Sequence, residues 1–565
     1  MAKKILIIGG SAAGPKVASK IRRHDQDSNI TIVQKGSYLS MASCGYPYFV
    51  GGVFDDPNLL ISTPTGVQRD PDFFSKVKGI TALTKTEAVA IDRENKTVQI
   101  HNLETGDTSS LPYDKLVLTT GANPITPKLP GIDLEGVDSL QSMEDAVKLK
   151  EVATAKKVKK AVIIGGGLIG IETCEALQLA GIKITIVEML DQILPFLDWE
   201  MAKLVENHMC SKGVKIVTGK GVSAINGEKF VTGVTLSDGS KLSCEHVVFS
   251  IGVRPNNKLA KEAQLKIGDR GGISVNRFMQ TSDPDIYAAG DCVEITNLIT
   301  QEKQHWPMGD AANLQGRVAA QNIAFGNIEE YDGVVGTGIC KVFDFTAGGT
   351  GLSEKMAKRE GFENIITAMH VAPDKPGFME GKPIIIKMLA AKSTGKFLGM
   401  QIVGTGDASK RLAMAAIALH GKMCISQLIN LDLPYAPPFS PAIDNFIQAA
   451  HVLENKWRHT MEGISSVAVK QRLDSGEDLF LLDVRGSDEF AARRIGQNET
   501  LIPLGKLRAS TDKLPKDKNR EIVTYCKISL RGYEAACYLK SLGYKNVKVM
   551  EGGLAAWPYP LKSDL

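Results

Sequence analysis

Two glycine-rich segments constrain this chain more than any other feature, because each is framed by an apolar run before it and a helical pattern after it. Residues 5–14 read ILIIGGSAAG and residues 162–170 read VIIGGGLIG, and each is followed by a second apolar stretch, at 30–33 and 184–187. A short apolar strand, a tight glycine turn, a helix and another strand make a βαβ unit. Its turn leaves backbone N–H groups at a helix start, where they suit a phosphate. The chain is therefore predicted to be α/β, with two dinucleotide sites. Residues 113–123 (YDKLVLTTGAN) and 285–293 (DIYAAGDCV) each carry a short strand ending in glycine, and the second βαβ unit lies between them. The simplest topology is one nucleotide domain interrupted by another.

At 565 residues the chain has room for three to five domains. Lys plus Arg number 67 against 63 Asp plus Glu, a balance that offers no electrostatic grip on nucleic acid or membrane and points to small-molecule ligands. The nine cysteines form no CxxC pair and no metal-ligand cluster, so neither a disulfide framework nor a metal site is expected. Residues 5–8 supply only four apolar residues before Gly9, short of a signal segment, and no run is long enough to span a bilayer. A cytoplasmic protein is expected.

The predicted boundaries are 1–149 with 254–330 for the first nucleotide domain, 150–253 for the nested one and 331–455 for an α+β domain ending in a proline-rich loop. A linker is expected at 456–465, followed by a small α/β domain at 466–565, where short strands alternate with helical patterns.

In the second βαβ unit Gly165, Gly167 and Gly170 complete GxGxxG, with Leu168 and Ile169 opening the helix and Glu188 ending the next strand. The first glycine turns the chain, the second admits a pyrophosphate and the third allows close helix packing. A carboxylate at 188 accepts hydrogen bonds from a ribose diol and repels a 2′-phosphate, which favours NADH over NADPH. The first unit carries Gly9, Ser11, Ala12, Ala13 and Gly14, with Gln34 and Lys35 where an acid would usually end the second strand. Gln34 can still bond a ribose hydroxyl, less strongly than a charged acceptor. Thr120-Gly121, Gly252 and Gly290-Asp291 mark further approaches of backbone or carboxylate to a ligand, Asp291 being placed to hold the ribityl chain of a flavin.

Two dinucleotide folds in this order, with TTG and GD segments, resemble the pyridine nucleotide-disulfide oxidoreductases, and residues 309–317 (GDAANLQGR) resemble that family's flavin-contacting segment, beginning at Gly309. The resemblance covers residues 1 to about 455. It implies nested Rossmann-like FAD and NAD(P)H domains, an α+β dimerisation domain and a homodimer. Cys44, in residues 40–52 (SMASCGYPYFVGG), has no cysteine within the next hundred residues, so it must work with an external sulfur or as a sulfenate. A helix start there would stabilise its thiolate. The segment resembles the single-cysteine motif of coenzyme A disulfide reductases, NADH oxidases and NADH peroxidases, with Met41 and Ser43 standing where that motif commonly has Phe and Asn.

Residues 525–531 (YCKISLR) offer a second reactive thiol. A strand runs into Cys526, and the loop places Lys527, Ser529 and Arg531 around the sulfur at the start of a helical pattern, an anion nest. With 482–490 (LDVRGSDEF) and 551–558 (EGGLAAWP), the unit resembles a rhodanese domain, which carries sulfane sulfur as a cysteine persulfide. Four residues separate Cys526 from Arg531, one fewer than in the loop of cysteine phosphatases, so a single sulfur suits this loop better than a phosphate.

Residues 431–441 (LDLPYAPPFSP) resemble the C-terminal loop that coenzyme A disulfide reductases contribute to the partner subunit's active site, with Tyr435 as its tyrosine. A second tyrosine of those enzymes falls near Phe378, which has no hydroxyl. Lys20, Arg22 and Arg23, with Ser40 and Ser43, are candidates for holding CoA; the three cations read equally as a solvated helix face. The combined reading is an NADH-dependent FAD enzyme. It reduces CoA persulfide, polysulfide or CoA disulfide through Cys44, with Tyr435 as proton donor, while Cys526, Lys527 and Arg531 deliver sulfane sulfur. The alternatives are an NADH oxidase or peroxidase cycling through a Cys44 sulfenate, and a non-redox sulfurtransferase on a flavoprotein scaffold.

Overall fold

A computed structural model describes residues 2–564, which divide into two compact units, residues 2–191 with 214–334 and residues 192–213 with 335–564. In the first unit, the strand Lys4–Ile8 is buried along nearly its whole length and pairs in parallel with Asn29–Val33 on one side and Lys115–Leu118 on the other. Burial on both faces explains why this strand reads as a continuous apolar run instead of an alternating one. Ile286–Ala288 adds to the edge beyond Lys115–Leu118, in register with Leu116 to Leu118. Because this strand follows the second βαβ unit in sequence, the first nucleotide domain is interrupted by the second, as the sequence predicts. The nested sheet has the order Lys215–Val217, Lys183–Val187, Lys160–Ile164, His246–Phe249, Val137–Ser139, again parallel throughout.

In the second unit a five-stranded antiparallel sheet runs in the order Thr337–Val342, Phe345–Gly351, Phe397–Gly404, Pro383–Ala391, Ile365–Pro373. The helices Ser409–His420 and Asn445–Trp457 pack on it. A parallel sheet of five short strands forms the C-terminal domain, in the order Gly463–Ile464, Val547–Met550, Ile522–Tyr525, Phe480–Asp483, Thr500–Leu501, with an apolar cluster on each face. Arg458 to Glu462 alone separate the helix ending at Trp457 from the first of these strands, and Met461 is buried in the C-terminal core. No helix among the described residues is long and apolar enough to cross a membrane.

The helix Trp199–Ser211 belongs to the second unit, although its sequence lies within the nested nucleotide domain. A buried charge cluster holds it there. Lys387 Nζ lies 2.8 Å from Asp198, 2.5 Å from Glu200 and 3.0 Å from Glu354, and Gln401 Nε2 donates to Asp198 Oδ2 at 2.6 Å. Burial alone would lower the pKa of Lys387, but the three carboxylates hold it above its ordinary value. The ammonium is the counter-charge to three acids whose oxygens lie within 4.8 Å of one another. Lys387→Met is therefore expected to leave repelling buried carboxylates and to destabilise this unit by about 3–5 kcal/mol. Thermal unfolding of the variant checks this, and an unchanged midpoint would remove the cluster's structural role.

Candidate active site

The two glycine turns are built alike. Gly9 has φ +112°, and a Cβ there would sit 2.0 Å from the Thr119 carbonyl oxygen, while one on Gly14 would sit 2.0 Å from the carbonyl of Gly9. Gly165 has φ +109° with Ser250 O 2.4 Å from a would-be Cβ, and one on Gly170 would sit 2.2 Å from the carbonyl of Gly165. Only glycine fits these positions. At the end of each second strand a side chain reaches back to its turn: Gly10 N donates to Gln34 Oε1 at 2.7 Å, and Gly166 N donates to Glu188 Oε2 at 2.7 Å. Gln34 thus performs the acid's structural task with a neutral amide. Glu188 Oε1 also accepts from Leu190 N at 2.8 Å, which leaves one lone pair on each oxygen for a ribose.

Neither helix start has a side-chain cap. Ala12 and Gly167 stand at the N-cap positions of Ala13–His24 and Leu168–Leu179, and nothing lies within 4 Å of a Cβ built on Gly167. Elsewhere in this unit the helices Pro71–Lys78 and Met143–Thr154 are capped by Asp70 and Ser142. Twelve-residue helices with open N–H groups fit the pyrophosphates of two dinucleotides. Gly121, at φ +70°, also faces open space, while the Thr120 hydroxyl donates to Asn256 O at 2.6 Å. Gly252 has φ +100° and Gly290 φ +87°, and Gly290 N donates to Gln315 Oε1 at 2.7 Å. Burial raises the Asp291 carboxyl pKa, against the opposing pull of His305. Ser11 and Ile169 are exposed, Ala13 is buried and Leu168 is half-buried. Lys35 is exposed and paired with Glu87 at 2.9 Å.

Cys44 is exposed, in the 3-10 turn Ser43–Gly45 directly before the short helix Tyr46–Val50. The expected lowering of its pKa by that helix start is corrected: partial desolvation, then Glu172, Asp291 and Asp310, push the thiol up. A five-residue helix is too short to offset three carboxylates. A longer helix start is close by, since a Cβ on Gly309, the first residue of Gly309–Phe325, would lie 3.8 Å from Cys44 Sγ. Met41 accepts a hydrogen bond through Sδ from Tyr46 Oη at 3.4 Å, so the thioether still anchors the turn. Ser43 is exposed, and Ser40, at φ +52°, donates its N–H to Gly10 O at 2.7 Å. Glu172 accepts from Tyr48 Oη at 3.1 Å, and burial pushes its carboxyl up to about 7. Sequence reasoning did not single out Glu172, on the helix after the second glycine turn, and it quoted the TTG and 309–317 segments without assigning a contact to Thr119 or Gln315.

Arg22 must be withdrawn as a CoA ligand. Its guanidinium donates to the carbonyls of Asp25, Gln26, Ser28 and Gly79 at 2.7–3.1 Å and ties the helix end to the next strand. Lys20 is half-buried and Arg23 exposed.

In the second unit Cys526 is buried at the end of Ile522–Tyr525. Lys527 is exposed, but the Ser529 hydroxyl is turned away to Met550 O at 3.0 Å, and Ser529 itself has φ +78°. Arg531 binds Glu489 through both guanidinium nitrogens, at 2.7 and 2.8 Å, and its pKa is raised first by that carboxylate and further by the neighbouring Cys526. The guanidinium holds the Glu489 carboxyl down at about 2. Sequence reasoning did not single out Glu489. Tyr435 is 55 % exposed and lines a cavity of about 270 Å³ with Leu433, Ser440, Ile447 and His451. Phe378 is also exposed, in the turn Gly377–Met379.

The family description "Pyridine nucleotide-disulphide oxidoreductase" matches residues 3–314, more than half of the chain. The chain belongs to the pyridine nucleotide-disulphide oxidoreductase family. The family's dimerisation domain matches residues 337–446 and a rhodanese-like domain matches 465–558. The nested nucleotide domains are those of FAD and NAD(P)H, which this family uses. An "NADH oxidase" of Methanocaldococcus jannaschii is 35 % identical over 77 % of this chain and 95 % of the relative. An "NAD(P)H coenzyme A polysulfide/persulfide reductase" of Pyrococcus horikoshii is 34 % identical over 80 % and 99 %. The solved structure of an NAD-dependent persulfide reductase from A. fulgidus is 42 % identical, with a TM-score of 0.93, and covers 98 % of this chain and 100 % of that one.

Proposed function

We propose that this oxidoreductase is a homodimer that uses NADH to reduce CoA persulfide, polysulfide or CoA disulfide at Cys44, with sulfane sulfur supplied through Cys526. One observation carries the reading: two thiols in chemically different settings lie in one chain, a lone exposed Cys44 beside the start of Gly309–Phe325 and a buried Cys526 on a loop next to the Arg531 cation. Each suits one half of a sulfur relay.

Gly9, Ser11, Gly14, Gln34, Gly121 and Asp291 would hold FAD, and Gly165, Gly167, Gly170 and Glu188 would hold NADH, the carboxylate disfavouring a 2′-phosphate. A flavin held there would supply the two-electron chemistry that links NADH oxidation to reduction of a disulfide at Cys44. At the other thiol, the Cys526 thiolate attacks a sulfane donor such as thiosulfate, forms a persulfide and releases sulfite. Arg531 and the exposed Lys527 offset the charge on that sulfur. The CoA thiolate then takes the terminal sulfur and frees Cys526. The Cys44 thiolate attacks the CoA sulfur of CoA–S–SH, so that the Cys44–CoA disulfide forms as the S–S bond of the persulfide breaks and hydrosulfide leaves. Two electrons and the accompanying protons restore the thiols. The sum is NADH, a proton and CoA persulfide giving NAD⁺, CoA and hydrogen sulfide. Tyr435, exposed on its loop, can donate a proton to a leaving thiolate, and Lys20 and Arg23 remain for the phosphates of CoA.

The M. jannaschii relative favours a second reading, an oxidase working through a Cys44 sulfenate, which gives Cys526 no task. Anaerobic turnover separates the two. With CoA persulfide as substrate, one sulfide is expected for each NADH consumed. NADH loss that requires oxygen and releases no sulfide would establish the oxidase, and purified protein lacking flavin absorbance near roughly 450 nm would leave only the sulfurtransferase.

A further inference from the structure

The segment 550–555 of the rhodanese-like domain has two sides with different duties. One braces the Cys526 loop: Met550 O accepts from the Ser529 hydroxyl at 3.0 Å, Leu554 N donates to Cys526 O at 3.0 Å and Ala555 N to Lys527 O at 2.9 Å. Gly553 passes so close that a Cβ would sit 2.3 Å from Cys526 O. The loop bearing the sulfur therefore cannot move without this segment.

The other side leaves the domain. Glu551 is 7 % exposed, and its carboxylate accepts from Met369 N at 3.1 Å and pairs with Lys456 Nζ. Met369 lies in Ile365–Pro373, the edge strand of the dimerisation sheet, whose outward N–H groups have no neighbouring strand among the described residues. Lys456 is in the last turn of Asn445–Trp457. Both neighbouring glycines make room for the contact. A Cβ on Gly463 would sit 2.2 Å from Glu551 Oε1, and one on Gly552, at φ +73°, would sit 2.7 Å from Met369 Sδ. A buried carboxylate is costly unless paired. Here it receives a backbone N–H and an ammonium from the adjoining domain. Those two elements also lead to the substrate loops. The strand ends four residues before the turn carrying Phe378, and the helix begins directly after the loop carrying Tyr435.

We infer that Glu551 is a positioning residue: with Lys456 it locks the sulfur-carrying loop onto the dimerisation domain, so that Cys526 meets the carrier thiol from one set direction instead of from a domain swinging on its short connection. The inference rests on the two-thiol relay proposed above and specifies how one of its stations is held.

The test uses flavin-loaded full-length Glu551→Gln and Lys456→Gln variants in three assays: thiosulfate-to-cyanide sulfur transfer, anaerobic NADH oxidation with preformed CoA persulfide, and anaerobic NADH oxidation with thiosulfate and catalytic CoA. Hydrogen exchange of 365–373 and 458–464 is followed alongside. The first two rates are expected within about twofold of wild type, the third reduced at least about fivefold, as misplacement of a reacting group would cause, and both peptides should exchange faster. Three rates falling together would mean a merely structural residue and overturn the inference, as would unchanged exchange or an unchanged third rate in both variants. Should wild type run the first two assays and not the third, the relay itself fails, while exchange still decides whether the lock exists.

Discussion

Cys44→Ser is expected to abolish NADH-linked reduction of CoA persulfide and CoA disulfide, with a loss on the order of 10³-fold or more, as for removal of a covalent nucleophile. The reason is arithmetic of sulfur. A lone cysteine must take its disulfide partner from solution, and serine can neither form that bond nor hold the electron pair that breaking it requires. All nine cysteines are free, and Cys174, Cys244 and Cys292, the other cysteines of the unit that holds Cys44, are buried with their thiols pushed up by desolvation, so none of them is ready to substitute. The same variant should keep its thiosulfate-to-cyanide transfer, because Cys526 belongs to a separately built core. Stopped-flow anaerobic NADH oxidation and a cyanide assay on one preparation check both halves. A Cys44→Ser protein that retains full NADH-linked rate would sink the scheme.

The reciprocal variant, Cys526→Ser, should remove sulfur transfer from thiosulfate by a comparable factor and leave reduction of preformed CoA persulfide within about twofold. Cys526 is buried at the start of a loop that the Ser529 hydroxyl and the 550–555 segment brace. Serine is nearly isosteric there, so the fold survives while the atom that carries sulfur is lost. The expected pattern is two half-reactions abolished one at a time by two single substitutions, with coupled turnover lost in both. If Cys526→Ser slowed reduction of preformed CoA persulfide as much as sulfur transfer, the two thiols would not be separate stations.

Much of the nucleotide-binding framework was legible because backbone sterics write themselves locally. Gly9, Gly14, Gly165 and Gly170 stand where a Cβ would strike a carbonyl oxygen at 2.0–2.4 Å, and no distant residue is needed to foresee that. Continuous apolar runs announced parallel strands buried on both faces, and the placement of residues 285–293 after the nested unit announced the interruption that Ile286–Ala288 completes. Gln34 looked like a weakened acid. It proves to make the same contact to its glycine turn as Glu188 does.

What the sequence could not decide was where long side chains go. Arg22 read as a free cation on a helix face, yet four backbone carbonyls claim it. The Cys44 helix start suggested a lowered pKa, but desolvation first, and then the carboxylates of Glu172, Asp291 and Asp310, raise it. Lys387 with its three acids, and Glu551 with Lys456 and Met369, join residues far apart in the chain. Local spacing determined the two glycine turns, the strand-to-cysteine loop and the α/β class, because those depend on the conformations of a few successive residues. Charge pairing, pKa direction and the docking of the sulfur-bearing loop depend on which groups are brought together and stripped of water, and only the tertiary structure decides that.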